Sequence, residues 1–262
     1  MVLKFGPTTI GNIKEISSTF KKYSSFRFKV AAVPFTYKVF IKEIEQARFI
    51  KKEAEKNNIE LSIHAPYYIN LNSEGKKLEE SKKRILESCK IAHYMGAKIV
   101  VIHCGFYGKK SKEETYQNIK NEILKLQKEI KKNKWDVKLA PETMGKINVF
   151  GNIEEILKLV DETSCSFCLD FAHLLARSNG KMSYKEIYEK FSKFQELYCH
   201  FSGIVYGEKG EKYHKSTPDE EIVKLLKILP KNKNIVIINE SPNTIEDSIK
   251  SLKIAKSLGF LV

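Results

Sequence analysis

Short apolar runs alternate along the chain with longer stretches that repeat their apolar positions at helical spacing. The runs rich in β-branched and aromatic residues predict strands at Leu3–Phe5, Phe28–Val33, Glu60–His64, Lys98–His103, Asp136–Glu142, Ser166–Asp170, Leu197–Phe201 and Asn234–Glu240. Met1–Gly6 is too short for a secretory h-region and reads as part of the first strand. Between the strands, Ile41–Lys56 places Ile41, Ile44, Ala47, Ile50 and Ala54 on one helical face. Glu79–Met95, Glu113–Ile130, Asn152–Val160, Tyr184–Phe194, Glu220–Leu229 and Thr244–Leu258 continue the alternation, and Gly96 is placed to close one helix. Strict strand–helix alternation demands parallel strands joined by crossover helices. Eight such units in 262 residues predict a closed (β/α)8 TIM barrel, α/β in class, as one domain over residues 1–262.

Charge and cysteine usage narrow the setting. Lys+Arg outnumber Asp+Glu by 46 to 32, a formal net charge of +14, which favours phosphate-rich partners such as nucleic acid. Much of the excess lies in Lys76–Lys83 and Lys125–Lys134, and such runs are ordinarily solvated helix faces. No apolar run approaches the roughly 20 residues that span a bilayer, so no membrane association is expected. An odd set of scattered cysteines, Cys89, Cys104, Cys165, Cys168 and Cys199, suits a reducing cytoplasm. Cys165 and Cys168 stand three apart on a predicted strand, where side chains diverge, so they read as small buried hydrophobes.

The polar residues concentrate at strand ends. His64, His103, Glu142, Asp170, His200 and Glu240 terminate six consecutive predicted strands, His173 follows Asp170, and His214 lies in the loop after the seventh. His93 is left on a helix, as a structural residue. A lone histidine at such a place is ordinarily a hydrogen-bonded packing residue, and a lone carboxylate a helix cap. In a barrel, however, these ends converge, and several carboxylates in one apolar cavity repel unless divalent cations neutralise them. Mixed imidazole and carboxylate sets suit zinc or manganese. The set therefore predicts a metal cluster.

With those residues in view, the chain resembles the endonuclease IV family of apurinic/apyrimidinic DNA repair enzymes. The resemblance is carried by His64-Ala65-Pro66-Tyr67-Tyr68-Ile69-Asn70-Leu71, Val101-Ile102-His103-Cys104-Gly105, Pro141-Glu142-Thr143, Leu169-Asp170-Phe171-Ala172-His173, Cys199-His200 and Asn239-Glu240-Ser241-Pro242-Asn243, in the family's order. It implies a trinuclear zinc site with no external organic cofactor. His64 and His103 would hold one ion, Glu142 would bridge it to a second ion bound also by Asp170, His200 and Glu240, and His173 and His214 would hold the third. It implies a hydroxide that attacks the phosphodiester 5′ to an abasic sugar, with Glu142 and Glu240 as the catalytic carboxylates and Glu240 orienting the nucleophile or acting as its base. Double-stranded DNA with abasic lesions would be the partner of a cytoplasmic monomer. Tyr67 and Tyr68 would enter the DNA from the loop after the third strand; the plain reading is that both pack on the rim.

The sequence also departs from that pattern. The family's Asp two residues before its metal-binding His is Lys212 here, and Glu211 could take its place if the loop is rearranged. Ser202-Gly203 replaces an Asn-Asp pair, and Tyr37 and Lys38 stand where an arginine is expected. Two other readings stay open. One is a sugar isomerase or epimerase using Glu142, Asp170, His200 and Glu240 around a single ion. The other is a DNA-binding barrel with decayed activity. His64, His103, His173 and His214 are surplus for the isomerase and required for the phosphodiesterase.

Overall fold

A computed structural model describes residues 3–262; the Met1 and Val2 portion of the first predicted strand lies outside the described residues. In chain order the elements are β1 (Leu3–Pro7), α1 (Ile16–Ser25), β2 (Val30–Pro34), α2 (Ile44–Lys56), β3 (Glu60–His64), α3 (Gly75–Met95), β4 (Ile99–Ile102), α4 (Lys112–Lys132), β5 (Lys138–Pro141) and α5 (Ile153–Thr163). They continue with β6 (Leu169–Asp170), α6 (Phe171–Arg177), α7 (Tyr184–Phe191), β7 (Glu196–Phe201), β8 (Gly203–Gly207), β9 (Gly210–Lys215), α8 (Asp219–Ile228), β10 (Asn234–Asn239) and α9 (Thr244–Ser257). The strand–helix alternation is as expected, with several differences. The first unit has its own helix, α1; a second helix not expected, α6, follows β6 directly; the sixth strand is only Leu169–Asp170, so Cys165 lies off it; and the loop expected after the seventh strand is an antiparallel hairpin, β8–β9.

The elements fall into two compact units, described separately. One holds Val33–Thr143 and Asn148–Phe167. Its strands β3, β4 and β5 lie side by side in that order, with β3–β4 and β4–β5 parallel. Helix ends here follow local chemistry. Gly96 caps α3 with φ 77°, a left-handed conformation that costs other residues strain. Asn152 caps α5 in a reciprocal box with Glu155, satisfying donors the helix leaves open. Apolar faces of α3, α4 and α5, through Ile85, Ile91, Ile119, Ile123, Ile156 and Leu159, are fully buried or nearly so.

The other unit holds the described residues up to Ala32, Met144–Ile147 and Cys168–Val262. Its sheet runs β1-β10-β7-β6, all parallel. Gly6 on β1 is required: a Cβ there would stand 1.8 Å from the Val30 carbonyl oxygen. Phe171, Phe191 and Phe201 fill the interior, with Tyr184 edge-on to Phe171 and Phe201. Across the two units, all five cysteines are free and buried. Burial pushes the thiols of Cys89, Cys104, Cys165 and Cys199 up, that of Cys165 to about 11. These four therefore pack as neutral groups at physiological pH, in keeping with a role as small hydrophobes. Among the described residues, no helix is long and apolar enough to cross a membrane.

Candidate metal centre

Parallel register sets the positions of the ligand-type side chains. In the unit built on β3, β4 and β5, His64 pairs with Val101, and Val101 with Ala140. His103 and Glu142 each stand two residues further along, on the same face, because side chains alternate with period two. His64 and Glu142 are buried, and both imidazoles aim Nε2 at one carboxylate oxygen: His64 Nε2 lies 3.2 Å and His103 Nε2 2.8 Å from Glu142 Oε2. His64 Nδ1 is 2.8 Å from the Ala65 carbonyl oxygen. A carbonyl only accepts, so Nδ1 carries the proton and Nε2 of the neutral ring presents a lone pair to a carboxylate. That arrangement is repulsive unless a cation or a second proton lies between them, and it matches a ligand histidine fixed by a backbone carbonyl.

The same logic operates in the other unit. Asp170 pairs in register with His200, and His200 with Ile238, and Glu240 stands two residues beyond Ile238. Asp170 and His200 are fully buried, His200 Nδ1 is 3.2 Å from Glu240 Oε1, and the three residues offer ligand atoms within 4.8 Å of one another. Asp170 also caps α6, its Oδ1 accepting from the His173 N–H at 2.7 Å, which sets His173 on the first helical turn.

His173, Glu211 and His214 form a second group in this unit, again within 4.8 Å. His173 Nε2 lies 3.3 Å from His214 Nε2 and 3.5 Å from Glu211 Oε2, while His214 Nε2 lies 3.9 Å from Glu211 Oε1. Ligands at zinc bond lengths on a tetrahedron stand about 3.3 Å apart, so the donor set fits a divalent ion with little movement. Glu211 and His214 are three apart on β9, a spacing that sends side chains to opposite faces of a regular strand. The strand is not regular. Val205 pairs with Tyr213 but Tyr206 with Glu211, which leaves Lys212 as the extra residue of a bulge. The bulge restores Glu211 and His214 to one side. The rearrangement that Glu211 needed is this single extra residue.

Three further residues, which sequence reasoning did not place in the site, support the group. Ser202 Oγ is 2.6 Å from His214 Nδ1 and orients the ring. Gly145 lies against Glu211, whose N–H donates to the Gly145 carbonyl at 3.1 Å; a Cβ on Gly145 would come within 2.8 Å of Glu211 Oε2. Arg177 holds that segment, donating to the carbonyls of Met144, Lys146 and Ile147 at 3.3, 2.6 and 3.4 Å. Glycine and arginine at such places have no ligand chemistry of their own, which is why composition and spacing pass over them.

The two tyrosines differ. The Tyr67 ring packs 5.6 Å from that of His64 and 5.4 Å from that of His103. Tyr68 is 63% exposed and stacks on Tyr37, 69% exposed, with centroids 6.1 Å apart. His93 lies outside all three groups and accepts from the Asp136 N–H, as a structural histidine.

Comparison with known proteins places the fold. A family model described as "Xylose isomerase-like TIM barrel" matches residues 28–257. An uncharacterized protein of Methanocaldococcus jannaschii is 39% identical over 191 residues, covering 69% of this chain and 68% of that protein. A probable endonuclease 4 of Metamycoplasma arthritidis is 27% identical over 213 residues, 74% of this chain and 75% of its own length. The match to the probable endonuclease 4 of Mycobacterium leprae (strain TN), 28% identical, spans 45% of this chain and about half (47%) of that protein. Among solved structures, SacUVDE superposes with a TM-score of 0.74 over the whole of both chains at 17% identity. A D-tagatose 3-epimerase-like protein superposes with 0.69 at 18% identity, covering 97% of this chain and 96% of its own.

Proposed function

Because the chain belongs to the xylose isomerase-like TIM barrel family, we propose that it is a metal-dependent DNA phosphodiesterase of the endonuclease IV type, nicking 5′ to abasic sites. The fold alone does not choose between nucleases and epimerases, since solved relatives of both sorts resemble it. The observation that carries the choice is the His173–Glu211–His214 group. A single-ion epimerase has no use for it, and a nuclease with several ions requires it. The +14 net charge supports a polyanionic substrate.

Three sets of residues would hold the ions: His64, His103 and Glu142; Asp170, His200 and Glu240; and His173, Glu211 and His214. When bound, divalent ions there, with zinc or manganese suited to the ligands, would acidify water and stabilise negative charge on phosphoryl oxygens. The chain's own groups do the rest. Glu142 would offset the charge of neighbouring cations, and its two histidine contacts fix its carboxylate plane. Glu240, partly buried beside His200, would accept a water's proton on a carboxylate oxygen turned to the substrate. Tyr67 covers one side of the two histidines and keeps water from them.

The test is a duplex carrying one abasic analogue, incubated with purified protein and zinc, manganese or cobalt, with and without chelator. Chelator-sensitive nicking is expected, together with two or more equivalents of metal per chain; a ratio near one with no nicking would refute the proposal in favour of an epimerase. Glu142→Gln is expected to fold and to lose nicking by about a hundredfold or more, as expected for one metal-site carboxylate.

A further inference from the structure

A second feature of the Val33–Thr143 unit is lined by none of the candidate metal ligands. The chain leaving β2, from Lys38 to Lys42, and the outer face of α3 enclose a groove of about 500 Å³. Lys38 and Lys42 approach from one wall, and Lys83, Arg84 and Lys90 from the other, over a floor of Val39, Ile41 and Ile91. The α3 residues share a face because positions three and four apart on a helix are neighbours. Two carboxylates also line the groove, and both are already engaged, Glu80 with Arg84 at 3.6 Å and Glu87 with Lys83 at 3.9 Å. Among the described residues, no carboxylate lies within ion-pair distance of Lys38, Lys42 or Lys90. The groove thus gathers exposed cationic side chains from two segments around one concave surface, so their charges converge although each remains in contact with solvent. Immediately before Lys38, Tyr37 stacks on Tyr68, and both rings are mostly exposed.

We infer that this groove binds a single-stranded stretch of nucleic acid, with phosphates on Lys38, Lys42 and Lys90 and a base on the Tyr37–Tyr68 pair. A convergent basic channel beside exposed aromatic faces is what a phosphodiester chain requires, and a ring face is available only to an unpaired base. An anionic lipid surface would satisfy the lysines but gain little from a stacked tyrosine pair or a recessed floor. The inference shares with the nuclease proposal the nature of the ligand and the Tyr37, Lys38 and Tyr68 positions, but the basic groove itself is new to it and it involves none of the proposed metal ligands.

The experiment measures binding of an undamaged fluorescent single-stranded oligonucleotide by anisotropy over a range of sodium chloride, using the intact chain. Lys38→Glu with Lys42→Glu is expected to weaken binding tenfold or more. It should also flatten the slope of log K against log salt by about 1.4, at about 0.7 for each phosphate no longer neutralised. Tyr37→Ser is expected to weaken binding about tenfold with the slope unchanged, since stacking carries no counterion release. An unchanged slope in the lysine variant overturns the inference, as does tighter capture of the protein by phosphatidylserine vesicles than by the oligonucleotide. Failure of the nuclease proposal would appear separately, as a wild-type chain that binds the strand yet leaves an abasic duplex intact.

Discussion

At the scale of single residues, the proposed centre depends on groups that carry no ligand chemistry themselves. Gly145 is the sharpest case. A methyl group there would meet Glu211 Cβ at 2.7 Å and the His173 ring at 3.2 Å, so Gly145→Ala must push both side chains aside. The expected outcome is loss of one metal equivalent per chain with the far-ultraviolet spectrum unchanged. Retention of full metal content would show that Glu211 is not a ligand. Ser202→Ala removes the 2.6 Å contact that aims His214. Losing such an outer partner is expected to weaken metal binding about 10- to 100-fold, read by competition with a chromogenic chelator. The proposed ligands themselves were legible in the sequence because histidines and carboxylates closing apolar runs are unusual in combination. Their supports were not, since a glycine that clears space and an arginine that holds three carbonyls look like any other glycine and arginine until the chain is folded.

Among elements, the hairpin β8–β9 is the part the sequence concealed. Gly207 pairs with Gly210, leaving Glu208-Lys209 as a two-residue connection without the Asn-Gly or Asp-Gly pair that marks such turns. The charges on β9 also mask its alternation. The α/β units were readable because long amphipathic helices impose a period that survives noise, whereas one extra residue in a six-residue strand leaves no periodic trace. The bulge makes a composition-neutral prediction. Exchanging the two residues, Glu211→Lys with Lys212→Glu, places the carboxylate on the bulged position and is expected to cost the ion held with His173 and His214. Deleting Lys212 instead leaves Glu211 and His214 two apart on a regular strand and is expected to keep it. Metal analysis of both purified variants decides the matter.

A second prediction at this scale concerns α9. Burial would raise the Asp247 carboxyl, but the bond from the Thr217 N–H and the Lys250 ammonium beside it outweigh burial and hold the group below its ordinary 3.8. A depressed carboxyl contributes stability that is present above the unfolded value and lost as pH falls through the folded one. Asp247→Asn should therefore cost about 1.5–3 kcal/mol near neutrality, the usual value of hydrogen bonds to a charged group. That deficit should shrink as denaturation is followed to pH values below 3.8.

For the molecule as a whole, the balance of charge among the proposed ligands sets how stability responds to metal. Five of them are histidines and four are carboxylates, Glu142, Asp170, Glu211 and Glu240, each buried or partly buried. Carboxylates withdrawn from water are a liability without cations. Saturating metal is accordingly expected to stabilise the native chain, by about 2.7 kcal/mol at a hundredfold excess over the dissociation constant of one site. Thermal melting with and without chelator reads this directly, and a melting temperature indifferent to zinc and manganese would count against every metal role proposed above.

The bulge at Lys212 bears also on how such a centre is inherited. Inserting one residue into β9 moves the acid from two places before the histidine to three, while the fold absorbs the extra residue and leaves the carboxylate on the same side. A single in-frame insertion can therefore carry a lineage from one spacing to the other with no ancestor lacking a ligand. Alignments that demand an acid two places before the histidine will pass over its descendants, and a lysine in that column is poor grounds for declaring the site extinct.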